Sequence, residues 1–383
     1  MKPIPYGTQH ITEEDIQAVI DVLHSINLTQ GPKIGEFEKD FAEYVGAKYA
    51  VAVSNGTAAL HISTMALNVK SCEKVITTPI TFVASANCVR YCGGEVVFAD
   101  IDPETFLLDI KKVKKLLASS APNTYKGIIP VDFAGYPVDC EAYRQLADEY
   151  GLWLIEDACH SPGGYFYDNK GEMQRCGNGN FTNLSVFSFH PVKHIAAGEG
   201  GMITTNDESL YCTLRNLRTH GIQQDHSKLT ENHGPWYYEM QELGYNYRLT
   251  DIQAALAISQ LKRAEKNLEK RHQIAKKYDK AFEKTPIQTP KIKRNVFHAY
   301  HLYVILTGKR DELIKYLREV NIWAQVHYIP VHYHPYYSNL GWKKGDLPVA
   351  EDFYQKCLSI PIYPSLTDDE QDFVIQKIIE FYD

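Results

Sequence analysis

Across roughly the first 250 residues, short apolar runs alternate with longer amphipathic stretches, and few folds accommodate that rhythm. The runs are Tyr49–Val53, Val75–Thr77, Val96–Asp100, Gly127–Val131, Leu152–Ile155, Ser185–Ser188 and Met202–Thr205. They are mostly apolar throughout instead of alternating with polar residues. A strand of that kind needs cover on both faces, which is the situation inside a parallel sheet flanked by helices. Thr57–Leu67, Phe82–Tyr91, Asp139–Tyr150 and Ser209–Arg218 have helical composition and fit as the connections.

The pattern then changes. Thr250 to about Lys284 reads as one long helix, opened by Thr250 as N-cap with Gln253 completing a capping box. Its first half is apolar on much of its surface and its second half is strongly charged, which suits a helix leaving one core to reach another lobe. Beyond Pro286 and Pro290 comes a smaller α+β region. Ala299–Leu306 reads as a strand, Asp311–Val320 as a helix, Gln325–Tyr337 as an aromatic, His-rich loop and Asp368–Tyr382 as a closing helix. The expected organisation is α/β, with a large domain over residues 1–250 and a small C-terminal domain over 251–383 that includes the linking helix.

Bulk properties remove several function classes. The 383 residues carry a net charge of −7 and no long basic block, so a nucleic-acid partner is not expected. No apolar run approaches the ~20 residues of a membrane-spanning helix. The opening MKPIPYGTQHITEED lacks the apolar stretch of a signal peptide. Eight cysteines are scattered without CxxC spacing, which points to reduced thiols in a cytoplasmic protein.

Three segments carry chemistry. Ser54-Asn55-Gly56-Thr57 turns from a strand into a helix, where free N–H groups and the positive helix end receive an anion such as a phosphate. A plain capped turn would look the same. Glu156-Asp157 ends a buried strand, where open α/β sheets bind ligands. A carboxylate there needs a cationic partner or several donors, and a protonated pyridine nitrogen is one such cation. The alternative is an Asp that caps the next helix. His160 lies three residues on. Lys193 follows the strand ending at Ser188 and precedes the Gly198–Gly201 turn. In a low-dielectric pocket a lysine gives up its proton more readily and attacks carbonyls, although a lysine in such a loop is more often a surface residue. Taken together, a phosphate turn, a strand-end Asp and a strand-end Lys occur in the order that a pyridoxal phosphate (PLP) site requires.

Through LTQGPKIGEFEKDFAEYVGAKYAVAVSNGTAAL, ITTPITFVASANCV, VDFAGYPVD, LIEDACHSPGGYF, SVFSFHPVKHIAAGEGG, LRTHGI, GYNYRLTDIQAAL and VHYIPVH, the chain resembles the DegT/DnrJ/EryC1/StrS family of sugar aminotransferases, PLP enzymes of fold type I. The resemblance runs from residue 28 to 332. It implies Lys193 as the lysine that binds PLP and transfers protons, and Asp157 as the partner of the pyridine nitrogen. It implies Gly56, Thr57 and Ser188 as the phosphate cradle, Phe82 as the aromatic stacked on the ring, and His160 in the place of a ring-hydroxyl contact that is glutamine in many members. Asn246 resembles a residue reaching the phosphate from the neighbouring subunit of a homodimer. Tyr6, Leu28, Thr29, Gln325, His327, Tyr328 and Tyr337 match positions lining a nucleotide-sugar site. The implied chemistry is ping-pong transfer from L-glutamate. ITTPITFVASAN, SVFSFHPVKH and QVHYIPVH are most similar to members of pseudaminic acid biosynthesis, which aminate C4 of UDP-2-acetamido-2,6-dideoxy-β-L-arabino-hex-4-ulose.

Rival readings stay within reach of the same residues. Bacillosamine- or perosamine-type aminotransferases share the catalytic set. Sugar dehydrases of this fold resemble it too but carry histidine where Lys193 stands. A metal enzyme could use His327, His332 and His334, yet no nearby Asp, Glu or Cys completes a ligand set, so no metal is expected. A non-catalytic regulator on this fold would be marked by loss of Lys193 or Asp157, and both are present.

Overall fold

The structure, a computed structural model, describes residues 2–383. Its centre is a seven-stranded sheet with the strands in the order Tyr49–Val53, Gly201–Thr205, Leu184–Ser188, Trp153–Asp157, Tyr125–Ile129, Lys74–Thr77, Glu95–Phe98. Only Gly201–Thr205 runs against its neighbours. The other pairings are parallel. All seven strands therefore fall where the apolar runs lie, and the expected α/β architecture is the one observed.

Neighbouring residues along a strand enter different cores, which is why the runs are continuously apolar. Ile76, Ile128 and Leu154 pack with Leu117, Tyr143 and Leu146 from the helices Ile110–Ala118 and Cys140–Tyr150. Val75, Ile129 and Ile155 join a different cluster with Leu60, Val89 and Phe133. Each such side chain contributes about 1.5–3 kcal/mol over remaining exposed.

Two expectations are corrected. The long helix from Thr250 is two helices, Asp251–Leu261 and Ala264–Phe282. The capping box at Thr250 and Gln253 is present. The break falls at Arg263, whose backbone leaves helical geometry at φ −116°, ψ 12°. Its guanidinium reaches back to buried Asp15, with Nη1 donating to Oδ1 at 2.9 Å, and to the His10 carbonyl at 2.6 Å. A tertiary ion pair breaks the helix, with no glycine or proline to signal it. The first helix packs with Phe37, Phe41, Phe187 and Phe189, while Ile274, Tyr278 and Phe282 of the second join Ile4, Ile322, Val374 and Ile378.

The second correction concerns Ala299–Leu306. Only Tyr303–Leu306 forms a strand, paired with Cys357–Ile360. Tyr300 stands at φ 48°, in the left-handed region that a tyrosine adopts only when its surroundings demand it. Two helices near the N-terminus, Glu13–Leu23 and Pro32–Val45, were not foreseen; both pack on Asp251–Leu261.

Candidate active site

The parallel strands all end on one edge of the sheet, and the three chemical segments follow from that. Asp157 and Ser188 close adjacent parallel strands, and Ser54–Thr57 follows the strand ending at Val53. Above this edge is a cavity of about 750 Å³. Tyr6, Gly56, Thr57, Phe82, Asp157, His160, Ser188, Lys193, His327 and Tyr328 all line it.

The turn at Asn55 starts the helix Gly56–Ala66, with the Asn55 side chain accepting from the Ala58 N–H at 2.8 Å. The first amides of a helix have no partner within it, so those of Gly56 and Thr57 are available to an anion. A Cβ at Gly56 would lie 2.9 Å from Ser188 Cβ, too close for any side chain. The missing side chain lets the Ser188 hydroxyl and the helix end converge on one small space. Phe82 is 59% exposed although apolar, and it offers its ring to the same cavity.

Asp157 is buried. Ser85 Oγ donates to its Oδ2 at 2.6 Å, and the Cys159 N–H donates to Oδ1 at 3.2 Å. Thr81 and Ser85 hydroxyls are linked at 2.8 Å. None of the ion pairs among the described residues involves Asp157. A buried carboxylate without a cation of its own fits a ligand that brings one.

Burial around the Lys193 amine lowers its pKa to about 8, while Cys159 and Asp157 pull the other way. More of this lysine is therefore neutral and nucleophilic near physiological pH than of an ordinary solvated one. Its Nζ lies 3.4 Å from His301 Nε2. His160 accepts from the Ala134 N–H at Nδ1 (3.2 Å), which leaves its proton on Nε2, 3.2 Å from the Tyr328 hydroxyl. Burial keeps both His160 and His301 neutral by holding their pKa values well below the usual imidazole range. His327 is likewise lowered to about 3 by burial, and its Nδ1 meets Ser359 Oγ at 2.9 Å.

Four residues expected at the sugar site lie away from the cavity wall, and so does Asn246, which was expected to serve a neighbouring subunit. Leu28 and Thr29 are exposed, with the Leu28 carbonyl accepting from Asp251 N–H and Thr29 bridged to Thr250. Gln325 is exposed, and its side-chain oxygen accepts from the Val326 N–H at 3.0 Å. Tyr337 is buried against Phe98, its hydroxyl donating to Asn87 Oδ1 at 2.8 Å. Asn246 is exposed and bridged to Thr219. Asn55, part of the turn singled out in the sequence, lines the cavity, as do Thr81, Ser85, Tyr247 and His301, which were given no role there. Tyr247 adjoins a residue that was given one, and Ser85 lies on the helix just after Phe82. His301 carried no signal, because it sits in what reads as an apolar strand.

The histidines of the aromatic loop do not converge on a metal. His332 Nε2 pairs with buried Glu351 at 3.1 Å, and His327 is taken by Ser359. The described residues contain one group with metal-ligand spacing, Asp132, Glu156 and Cys176, all buried. Burial and mutual repulsion raise Asp132 well above the carboxylate range, and Glu156 is already met by Gly177 N–H and Ser185 Oγ.

A helix N-terminus beside Ser188, an exposed phenylalanine ring, a buried carboxylate without an ion-pair partner and a buried lysine around one cavity fit what a PLP-dependent aminotransferase on this fold needs. The chain belongs to the DegT/DnrJ/EryC1/StrS aminotransferase family, whose profile it matches over residues 9–379, and it is a PLP-dependent sugar aminotransferase. It is 40% identical to the spore coat polysaccharide biosynthesis protein SpsC of Bacillus subtilis, over 98% of this chain and 96% of the relative. It is 38% identical to a Campylobacter jejuni UDP-4-amino-4,6-dideoxy-N-acetyl-beta-L-altrosamine transaminase, over 97% and 95%. Among solved structures it is similar to Helicobacter pylori PseC, an aminotransferase involved in the biosynthesis of pseudoaminic acid, with 32% identity, a TM-score of 0.88 and coverage of 100% and 99%.

Proposed function

We propose that the protein moves an amino group from L-glutamate to C4 of UDP-2-acetamido-2,6-dideoxy-β-L-arabino-hex-4-ulose, a step of pseudaminic acid biosynthesis. The observation that carries the chemistry is the Lys193 amine, facing the same cavity as Asp157 and the Gly56–Ser188 cradle. When bound, PLP supplies an electron sink for the charge that develops at the donor's Cα. Gly56, Thr57 and Ser188 would bind its phosphate, and Phe82 would lie against its ring. Asp157 holds a proton on the pyridine nitrogen, fixed in place by Ser85 and the Cys159 amide. Lys193 Nζ removes the Cα proton of the donor and later returns a proton to C4 of the sugar, as general base and then general acid. The two half-reactions share these residues, which gives ping-pong kinetics. Eight free thiols suit a reducing cytoplasm.

The choice of sugar rests on the likeness to the Campylobacter jejuni and Helicobacter pylori enzymes. The cavity wall formed by Tyr6, His327 and Tyr328 offers flat faces and directional hydrogen bonds to a sugar ring. A site built to pair particular hydroxyls rejects an analogue that leaves them unpaired, by as much as ~10⁴-fold. Side-by-side assays of the two C5 epimers, with glutamate as donor and product stereochemistry read by NMR, are expected to favour the L-arabino epimer. Preference for the D-xylo epimer would move the enzyme to the bacillosamine type.

We further propose a homodimer in which Asn246 serves the neighbouring subunit's phosphate site. Its exposed position and the exposed apolar side chains Ile20, Leu23, Ile26, Trp236 and Met240 support this. Inactive Lys193 and Asn246 variants, mixed under conditions of subunit exchange, should regain activity because each hybrid dimer holds one intact site. No recovery after verified exchange would mean that each site is built from one chain. The division into residues 1–250 and 251–383 is likewise a proposal; the separate cluster around Ile274, Tyr303 and Ile378 supports it, while the packing of Asp251–Leu261 draws that helix towards the large sheet.

A further inference from the structure

His301 has no role in the chemistry above, yet the fold goes to some length to place it. The residue before it, Tyr300, is held at φ 48°, and Gly135 approaches it so closely that a Cβ there would sit 2.8 Å from Tyr300 N and 3.0 Å from His301 N. The amides of Ala299 and Leu302 donate to the carbonyls of Gly135 and Ala134 at 2.7 and 3.1 Å. From the other side, buried Arg271 donates to the Tyr300 and Ile362 carbonyls, both at 3.0 Å, and reaches that of His301 at 3.4 Å. Arg271 forms none of the ion pairs among the described residues. A strained residue, a glycine that must lack a side chain and a buried cation serving carbonyls together fix one short segment. The result is an imidazole in the cavity wall, 3.4 Å from Lys193 Nζ and with its ring 4.4 Å from that of His160. Its other nitrogen, Nδ1, is buried and unpartnered.

We propose that His301 is a positioning residue for proton transfer: its Nε2 accepts a hydrogen bond from the free Lys193 amine and holds that nitrogen at one point on the cavity wall. The groups facing His301 are Lys193, His160, His194 and Arg271, and those facing Lys193 also include Cys159, Asp157 and His327. Surrounded by basic groups and buried, His301 stays neutral, so it serves Lys193 as an acceptor and not as a competing cation. The Lys193 ammonium then has an acceptor in an otherwise poorly solvating pocket. Without that acceptor it would shed its proton at lower pH, and the amine would sample several positions. A misplacement of about 1 Å costs up to ~10²-fold in rate.

The inference rests on the reading of Lys193 as the reacting amine, and one control separates the two. Borohydride reduction of the wild-type holoenzyme followed by peptide mapping should label Lys193; a label elsewhere sinks the Lys193 reading whatever His301 does. With that label in place, three variants are compared. His301→Phe keeps a ring against His160 but has no acceptor. His301→Gln returns a neutral acceptor near the Nε2 position, whereas His301→Asn reaches only as far as Nδ1. In the full-length apoprotein, the pH dependence of Lys193 acylation, read by mass spectrometry, should shift to a midpoint about one pH unit lower in the Phe and Asn variants. In the same two variants kcat should fall about 10–100-fold with the KM for glutamate little changed, and Gln should return to within about tenfold of wild type. A loss of kcat without a shift in the acylation midpoint would overturn the proposal. So would Gln behaving no better than Asn, a comparison that decides alone if the Phe variant does not fold.

Discussion

Alanine at position 193 is expected to lower turnover by at least about 10⁴-fold while leaving cofactor affinity measurable. On the proposed reading two functions are lost at once, the covalent link to the cofactor and the proton transfer between donor and acceptor carbons. Binding survives in part because the cradle is built on the Gly56 turn and Ser188, and Asp157 is held by Ser85 and a backbone amide. None of those contacts passes through Lys193. The wild-type protein should be yellow with cofactor bound, and the variant should lose the imine band, keeping at most the shorter-wavelength absorbance of the free aldehyde, together with the borohydride-fixed label. Steady-state turnover above a few per cent of wild type would rule out Lys193 as the reacting amine. Added methylamine returning part of the rate would strengthen the assignment, since it restores an amine without restoring its tether.

Asp157→Ala should cost about 10³-fold in kcat, with a smaller effect on folding stability. The carboxylate's position is fixed by the Ser85 hydroxyl at 2.6 Å and the Cys159 amide at 3.2 Å. Without it the pyridine nitrogen is not kept protonated and the electron sink weakens. Asp157→Glu is a sharper test than alanine. The added methylene cannot lie in the same space beneath the cavity without moving Ser85, so this variant should also be strongly impaired. Near-full activity in Asp157→Glu would count against the pyridinium role, and unfolding curves on both variants separate loss of chemistry from loss of fold.

The parts of the molecule that were legible in the sequence are those whose cause is local. Each sheet strand could be found because an apolar run between helices is a local pattern, and the turn at Asn55–Gly56 because cap chemistry is local too. The helix break at Arg263 was not legible, since its cause is Asp15, far away in the chain. His301 was hidden for a similar reason. The run AYHLYVIL looks like a strand, and only Gly135 and Arg271 reveal that its first residues are bent out of one. The sugar-site residues divide the same way. His327, Tyr328 and Tyr6 face the cavity, but Tyr337, equally aromatic and in the same loop, turns into the core to meet Asn87, because nothing in an aromatic-rich run tells which ring faces inwards.

Tyr6 has one more consequence. It enters the cavity wall on a two-residue strand, Ile4–Pro5, that pairs with Ile322–Trp323, and its carbonyl receives the amide of Ile362. A segment early in this sequence is thus stitched to segments much later in it, so this wall cannot close until Ile362 has been made. While the ribosome is still short of Ile362, Gly56, Asp157, Ser188 and Lys193 already exist as sequence, but the wall proposed for the sugar is not yet closed. On the proposed reading of the site, crowding at Ile4–Pro5 would press on specificity sooner than on cofactor capture.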